Sequence, residues 1–560
     1  MSLKMKTSTP NPTPPAFNPH LPFNQVWNLE EKVSELQISN SKPPPFRFSG
    51  KPASAPSRNI FPPTPSRTPI MKETDQEKIY ERHMELLSRK NGQHDLQDAV
   101  TTPIFTMPVF NHVLANKGTG TGFAQYGLLA GLDDVLQAES ASGAPTDEKR
   151  KDPRLFFNIS SPSSTFICGS QGSGKSHTLS CLLENALLDS EASELPKPLA
   201  GLVFHYDSFI SDKGGNPCEA AYLSSEEGVK VRVFCAPTNF RAIKATYDKI
   251  PGKNVVVEPL RISASHLDTK RMFALMALKQ GDGPMPLYAN TITRILGDMR
   301  METEENGGPF VYQAFKDQVG LAGLSPDQNR PLQQRFQNLE SFMPRAGKKD
   351  KANDWTAKAG TLIIVDLSCP CVTPESACSL FSICLDIFLG QETHIGRIVA
   401  LDEAHKYMNA SAEATTLTDN LLQTIRMQRH LGARVIISTQ EPTISPALLD
   451  LSSVTIVHRF TSPQWLKTLE GHLAGAASKL LTKPENGEDT DDKSSVAQGL
   501  FNSIVNLRVG EALLFSPSAV IDLEQIGETG KKQLKRLGAA YVKIRVRARQ
   551  TADGGTSVMA

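Results

Sequence analysis

Eight consecutive residues, Gly169, Ser170, Gln171, Gly172, Ser173, Gly174, Lys175 and Ser176, have the spacing of a loop built to hold phosphate. The glycines let the backbone curl so that successive N–H groups point inward at the β- and γ-phosphates of a nucleotide. Apolar residues Thr165–Cys168 before the loop read as a strand, and Thr178–Leu188 after it read as a helix, whose N-terminus adds a positive dipole end. The expected ligand is ATP with Mg²⁺. Lys175 would neutralise phosphate charge and Ser176 would place its hydroxyl on the ion, with His177 completing the candidate nucleotide contacts. The bland alternative is an unused Gly-rich turn.

Such a loop needs a second acidic site, and the apolar run Arg397–Leu401 ends in Asp402 and Glu403. A parallel sheet binds ligands at the carboxyl ends of its strands. Asp402 is therefore expected to help hold Mg²⁺, and Glu403 to orient or deprotonate the attacking water. An acidic helix start satisfying its own dipole is the competing reading. A further strand pattern from Ala433 to Ile437 ends in Ser438, Thr439 and Gln440. Gln440 would hydrogen-bond the γ-phosphate or the water, unless it is an ordinary turn glutamine ahead of Pro442.

These residues need a sheet to position them. Gly201–His205, Lys230–Phe234 and Thr361–Val365 are further apolar strand patterns separated by helical ones. The fold class expected is therefore α/β, a doubly wound, mostly parallel sheet. Around it the composition shifts. Hydrophobic residues are 39% and charged residues 21% of the 560, which is lean for a fully globular chain. Residues 1–70 hold 15 of the 39 prolines and are expected to be a disordered leader. Within it Val26, Leu29, Val33 and Leu36 recur at helical spacing, either a transient helix or a motif that folds on a protein partner. Residues 71–154 read as a helical and loop lead-in, with a plain Gly-rich loop at Gly118–Gly122, and 155–549 as the core. The core carries a polar, helix-rich insertion at about 281–354 and an acidic loop at about 484–493, and residues 550–560 read as a C-terminal tail.

The motifs together resemble a family. Ile398–Tyr407, Arg426–Arg434 and Ile436–Pro442 look like the HerA/FtsK superfamily of ring-forming DNA translocases and conjugation ATPases. The resemblance covers about Phe156 to Arg549 and implies a RecA-like ATPase core working as a homo-hexamer on DNA or RNA. It also implies that Gln440 is the sensor and that an arginine from a neighbouring subunit completes each site, with Arg459 and then Arg426 as candidates. The sequence departs from the pattern in two places. Little before Leu155 looks like the small N-terminal β-barrel of HerA-like proteins, and a long insertion separates Lys175 from Asp402.

Other features are less directive. The net charge of +1 means that any nucleic-acid contact must come from a local patch. One candidate is the segment Lys531–Arg549, with eight basic and no acidic residues, in which Lys543, Arg545, Arg547 and Arg549 alternate with Val542, Ile544, Val546 and Ala548. That period predicts a strand with a cationic ridge, fit either to follow a phosphate backbone or to protect a solvated sheet edge. Cys369, Cys371, Cys378 and Cys384 lack paired zinc-knuckle spacing and read as buried thiols, and His405 reads as a helix-surface residue, with a nucleotide contact as the alternative. With eight cysteines, no signal peptide and no membrane-length apolar run, the chain is expected to be intracellular, nuclear or cytoplasmic, and unattached to membrane. Two functions fit: an ATP-driven motor on nucleic acid, or a nucleotide-gated scaffold or switch that recruits partners through its leader.

Overall fold

The computed structural model describes residues 78, 80–84, 93–117, 122–142, 151–210, 214–252, 254–276, 288–345, 350–479, 492–526 and 531–554. The leader with its helical pattern, residues 118–121 of the Gly-rich loop and 484–491 of the acidic loop lie outside them. The described residues from 93 onward belong to one compact unit, and the described residues before it, 78 and 80–84, are helical and belong to a separate one.

In chain order the strands of the large unit are β1 (Ile104–Thr106), β2 (Tyr126–Leu132), β3 (Arg154–Asn158), β4 (Ser164–Cys168) and β5 (Ser193–Glu194). They continue with β6 (Ala200–His205), β7 (Lys230–Cys235), β8 (Val255–Pro259), β9 (Thr361–Asp366), β10 (Arg397–Leu401) and β11 (Ala433–Thr439). The last are β12 (Val454–Val457), β13 (Glu511–Phe515), β14 (Val520–Ile526), β15 (Lys531–Arg536) and β16 (Tyr541–Val546). All join one sheet, in the order β15-β14-β1-β3-β2-β16-β13-β12-β4-β11-β10-β6-β9-β7-β8, with β5 beside β2.

The eight strands from β12 to β8 in that order run parallel. Both of their faces are covered, which is why β4, β6, β9, β10 and β11 are buried along their whole length. Alternation distributes each strand between two cores. Phe166 and Cys168 of β4, with Leu202 and Phe204 of β6, enter one. Ile167 and Val203 enter the other, beside Leu179, Leu182 and Ala186 of the helix Lys175–Leu187. Each large apolar side chain so buried contributes roughly 1.5–3 kcal/mol.

The insertion forms three helices, Ala289–Asn306, Tyr312–Leu321 and Pro326–Ser341. They add Ile292, Leu296, Phe315, Phe336 and Leu339 to the first core. The third starts sharply because Ser325 and Gln328 cap each other's backbone N–H groups and Pro326 occupies the first turn.

Beyond β12 the sheet turns mostly antiparallel, with β1 and β14 alone parallel, a wing that the sequence patterns did not reveal as such. The lead-in, read as helices and loops, supplies β1 and β2, and both pair with β3. Phe105 of β1 stacks on Phe123 with ring centroids 3.7 Å apart, and Phe156 and Tyr126 complete an aromatic cluster. Gly127 of β2 has no room for a side chain: a Cβ there would sit 2.3 Å from Asn185 Cγ of the helix Lys175–Leu187. The lead-in is thus packed on the core, not appended to it.

The second half of the basic C-terminal segment is corrected in the same way, whereas its first half, β15, is the end strand of the sheet. β16 lies inside the sheet between β13 and β2, so it is not an edge. Its cations are also spoken for. Lys543 pairs with Asp133 at 2.8 Å and Glu511 at 3.0 Å, and Arg545 pairs with Asp133 at 2.7 Å. Arg547 reaches the buried Glu184 at 2.7 Å, and Arg549 reaches Glu219 at 3.1 Å. The nominal tail continues this clasp, since the backbone N–H groups of Gln550 and Thr551 donate to Glu184. No described helix is long and apolar enough to cross a membrane.

Candidate active site

β4 delivers the chain to the carboxyl edge of the parallel half, and the loop Gly169–Gly174 turns there into the helix Lys175–Leu187. Gly169 adopts φ +150°, and a Cβ on it would lie 2.7 Å from His458 Cβ and 2.9 Å from Ser173 Oγ, so only glycine fits. The loop closes on itself: Ser173 Oγ donates to the Ser170 carbonyl at 2.7 Å, and Lys175 Nζ donates to the same carbonyl at 3.1 Å. Gly174 caps the helix without a side-chain hydrogen bond, which leaves its first turn to the loop and to anions. Lys175 is 4% exposed. Burial lowers its pKa, while the charges of Glu403 and Asp402 act in the opposite direction.

That electrostatic coupling follows from strand order. β11 pairs with β4 on one side and β10 on the other, in register Thr439↔Cys168 and Leu401↔Ile437. Asp402 and Glu403, the first residues after β10, therefore face the loop with Gln440 between. Gln440 Nε2 donates to Glu403 Oε2 at 3.1 Å. Among the described residues Glu403 is the sole non-glycine with positive φ, at 49°, a conformation of order 1–3 kcal/mol above ordinary backbone for such a residue. Glu403 is the N-cap residue of the short 3-10 helix Ala404–Lys406, yet its side chain makes no capping hydrogen bond and accepts from Gln440 instead. His405 is half-buried in the same turn, and its Nδ1 accepts the Gln440 N–H at 3.4 Å. Burial lowers its pKa, in keeping with the neutral acceptor that this bond requires. The helix-surface expectation for His405 thus gives way to a place in the site.

Asp402 is 3% exposed. Its Oδ2 accepts from His205 Nδ1 at 3.1 Å and from Cys218 Sγ at 3.7 Å. Its Oδ1 has no hydrogen-bond partner among the described residues. Burial raises the Asp402 pKa, but the hydrogen bond from His205 and that residue's charge outweigh it and hold the carboxyl below its ordinary range. For His205 burial works against the charge, yet Cys218 and Asp402 raise its pKa well above the ordinary value. A bare, charged oxygen at the carboxyl edge suits a hard divalent cation, which prefers carboxylate oxygen.

His458, which the sequence reading did not single out, locks the loop from behind. Its Nδ1 faces the Glu511 carbonyl at 3.0 Å and must donate there, so Nε2 accepts from Thr178 Oγ1 at 2.9 Å. Burial pushes its pKa down to about 4, so it stays neutral at ordinary pH. His177 is held at its ring by the Arg547 carbonyl at 2.8 Å, which ties the first turn of the helix to the C-terminal segment.

The two arginine candidates separate. Arg459 directly follows His458, and its carbonyl accepts both the N–H and the hydroxyl of Ser170 at 2.8 Å, so it sits beside its own loop. Arg426 is exposed at the end of the helix Ala412–Arg426, which leads into the start of β11 and hence to the opposite edge of the sheet. Nearby Arg434 is buried, donating to the carbonyls of Gly432, Ile159 and Ser160. Of the cysteines, Cys369, Cys378 and Cys384 are buried thiols, whereas Cys371 is exposed.

A strand, a phosphate-type loop and a helix, with an acidic strand two places away across a glutamine strand, define the architecture. This is a P-loop nucleoside triphosphatase fold. No family model and no curated protein matches the sequence. Among solved structures the chain is similar to VirB4 of Thermoanaerobacter pseudethanolicus, at 12% identity and a TM-score of 0.44, over 73% of this chain and 97% of that one. It is also similar to the genome packaging NTPase B204 from Sulfolobus turreted icosahedral virus 2 in complex with ATP-gammaS. There the identity is 7% and the TM-score 0.25, over 67% of this chain and 97% of that one.

Proposed function

We propose that this chain binds and hydrolyses ATP with Mg²⁺ as a subunit of a ring-forming motor, a homo-hexamer that acts on DNA or RNA. One observation carries the chemical part. Lys175, the bare Oδ1 of Asp402, Glu403 and Gln440 converge on one carboxyl edge although 265 residues separate the first from the last in the chain.

The loop N–H groups of Gly169–Ser176 and the Lys175 ammonium would bind the phosphates, with His177 at the end of the contact set. Ser176 and Asp402 Oδ1 would hold Mg²⁺, which would supply positive charge to neutralise the phosphates. Glu403 takes the proton of the attacking water. In the structure its carboxylate is occupied by Gln440, so a γ-phosphate that draws Gln440 to itself would release the base only when ATP is present. Steady-state ATPase tests this: turnover should require Mg²⁺, and Glu403→Gln should bind ATP yet turn it over very slowly. A Glu403→Gln protein as fast as the parent would remove Glu403 from the reaction.

The motor part rests on the motif resemblance. A head-to-tail ring can deliver a cation in trans to each site. Arg426, exposed and remote from its own loop, is now the stronger candidate, and Arg459 the weaker because it lies at the loop in cis. Mixing Lys175→Ala with Arg426→Ala subunits should restore activity absent from either alone. A second reading, a nucleotide-gated switch recruiting protein through the leader, gains from the ion pairs of β16, which remove the ridge expected to follow phosphates. ATPase that is indifferent to DNA and RNA would favour the switch, and strong stimulation the motor.

A further inference from the structure

We propose that His205 is a positioning residue for the divalent cation: it fixes which oxygen of Asp402 is offered to the metal. This rests on the reading of the site as a Mg²⁺-dependent ATPase.

The placement begins in the register of β6 and β10. Phe204 pairs with Leu401, and the Asp402 N–H donates to the Phe204 carbonyl at 3.0 Å, so the next residues, His205 and Asp402, emerge side by side. His205 Nδ1 at 3.1 Å and the Cys218 thiol at 3.7 Å both bond Oδ2 and neither bonds Oδ1. The two oxygens of a free carboxylate are equivalent and exchange by rotation about the terminal bond. Here rotation would break both bonds in a site where Asp402 is 3%, His205 6% and Cys218 0% exposed. Oδ1 is left as the one oxygen without a partner.

The anchor is itself anchored. The Cys218 N–H donates to Tyr247 Oη at 3.1 Å, and the Tyr247 hydroxyl donates to Asp366 Oδ2 at 2.6 Å. Asp366 Oδ1 accepts the Ser368 N–H at 2.9 Å, and Asp366 is the register partner of His205 on β9. A buried chain of donors and acceptors therefore runs from the end of β9 through Tyr247 and Cys218 to Asp402. The backbone of His205 is tied to the same end of β9, where its carbonyl accepts the Leu367 N–H at 3.1 Å. Hydrogen bonds that orient a ligating group in this way are a recurrent determinant of metal affinity.

The test uses the full chain and three readouts: Mn²⁺ bound in the presence of a non-hydrolysable ATP analogue, followed by electron paramagnetic resonance; nucleotide affinity without metal; and the Mg²⁺ concentration for half-maximal ATPase. His205→Leu should weaken Mn²⁺ and raise the Mg²⁺ requirement by roughly ten- to a hundredfold, with metal-free nucleotide affinity unchanged. His205→Asn, whose side-chain N–H can take the place of Nδ1, should recover most of the loss, and His205→Gln, whose amide lies farther out, should not. If His205→Leu fails to fold, the Asn and Gln pair decides alone. Equal Mn²⁺ affinity in parent and His205→Leu, or in the Asn and Gln variants, overturns the proposal. So does stoichiometric Zn²⁺ binding to the nucleotide-free parent that Cys218→Ala abolishes, because His205, Cys218 and Asp402 would then be ligands themselves. A parent that binds neither nucleotide nor Mn²⁺ sinks the ATPase reading as well, whereas a parent that binds both while His205→Leu matches it sinks this inference alone.

Discussion

At the carboxyl edge of the parallel half, Asp402 keeps an oxygen without a partner and Lys175 spends its ammonium on a backbone carbonyl. In the antiparallel wing the buried Asp133 carboxylate meets two cations, and the wing's Arg547 answers the buried Glu184 of the helix that carries Lys175. Both regions are rich in charge, and in sequence the wing is the more conspicuous of the two. The difference lies in completion. A buried charge without a partner costs stability, so it persists where a ligand finishes the arrangement, and a finished pair has little left to offer one. Density of charge along the chain is therefore a poor guide to binding, and incompleteness in space a better one.

The largest effects should come from the incomplete side and should appear in function alone. Lys175→Ala is expected to abolish measurable ATP binding while leaving the melting temperature equal or raised, since it deletes a desolvated ammonium. Glu403→Gln should keep ATP binding and lower kcat by roughly 10²- to 10⁴-fold, the usual worth of a general base. A clear drop in melting temperature for either would break the comparison, because it would show these charges to be structural.

On the completed side the same kind of truncation should read out as stability. Arg547 bonds Glu184, the carbonyls of Leu128 and Cys181, and Asn185 Oδ1, so it fastens the helix that carries Lys175 to β2 and to the chain end. Arg547→Ala takes the paired cation from the buried Glu184 carboxylate, leaving it the bonds from Gln550 and Thr551, and should lower unfolding free energy by about 3 kcal/mol in urea titrations. Adding Glu184→Gln should return part of that loss. If Arg547→Ala unfolds at the parent's urea concentration, the clasp is decorative.

These contrasts also explain what was legible beforehand. The phosphate loop could be read because its geometry is local: a strand, eight residues and a helix, each recognisable alone. Asp402, Glu403 and Gln440 were legible as polar residues ending apolar strands. His205 ended such a strand too, but its role depends on register with a residue 197 positions away. The wing was hidden for a related reason. β1 is three residues long and β2 contains two glycines, so neither shows clean alternation, and β16, which pairs with β2, lies more than 400 residues later. The alternation in β16 did give a strand, yet periodicity is silent on neighbours, and the neighbours decide whether its arginines are free. His458 carried no spacing signal at all, since its partners Thr178 and Glu511 are distant in both directions.

His458 stands on the boundary between the two regions and sharpens the comparison through pH. Its pKa falls from an ordinary 6.5 to about 4 on folding, because burial disfavours the cation. The unfolded chain therefore takes up the proton first as pH falls. The associated stability is intact above about pH 6.5 and is lost progressively down to about pH 4, amounting to about 3 kcal/mol. His458→Gln should be less stable at pH 7 but show a flatter stability profile across that window. An equally steep profile in the variant would assign the slope to other groups.

The smallest effect is expected where the sequence drew most attention. Lys543 and Arg545 are 37% and 46% exposed at their side chains, and both are directed at Asp133, with Lys543 also on Glu511. When one of these exposed cations is lost the other still answers the buried Asp133, so Lys543→Ala and Arg545→Ala should each lose about 0–1 kcal/mol singly. The double variant leaves Asp133 without a cation and should lose more than the sum. If these cations followed a phosphate backbone, losing two would weaken nucleic-acid binding and flatten its salt dependence by about two contacts. Because their charges are already answered within the fold, we expect neither change. Filter-binding or anisotropy titrations of the double variant against single- and double-stranded DNA and RNA, at two or more salt concentrations, measure both quantities together. A shallower salt slope in the folded double variant would show that the ridge exchanges its internal carboxylates for phosphates on binding. The wing would then be a second working surface, and the division between completed and incomplete charge would fail at its clearest point.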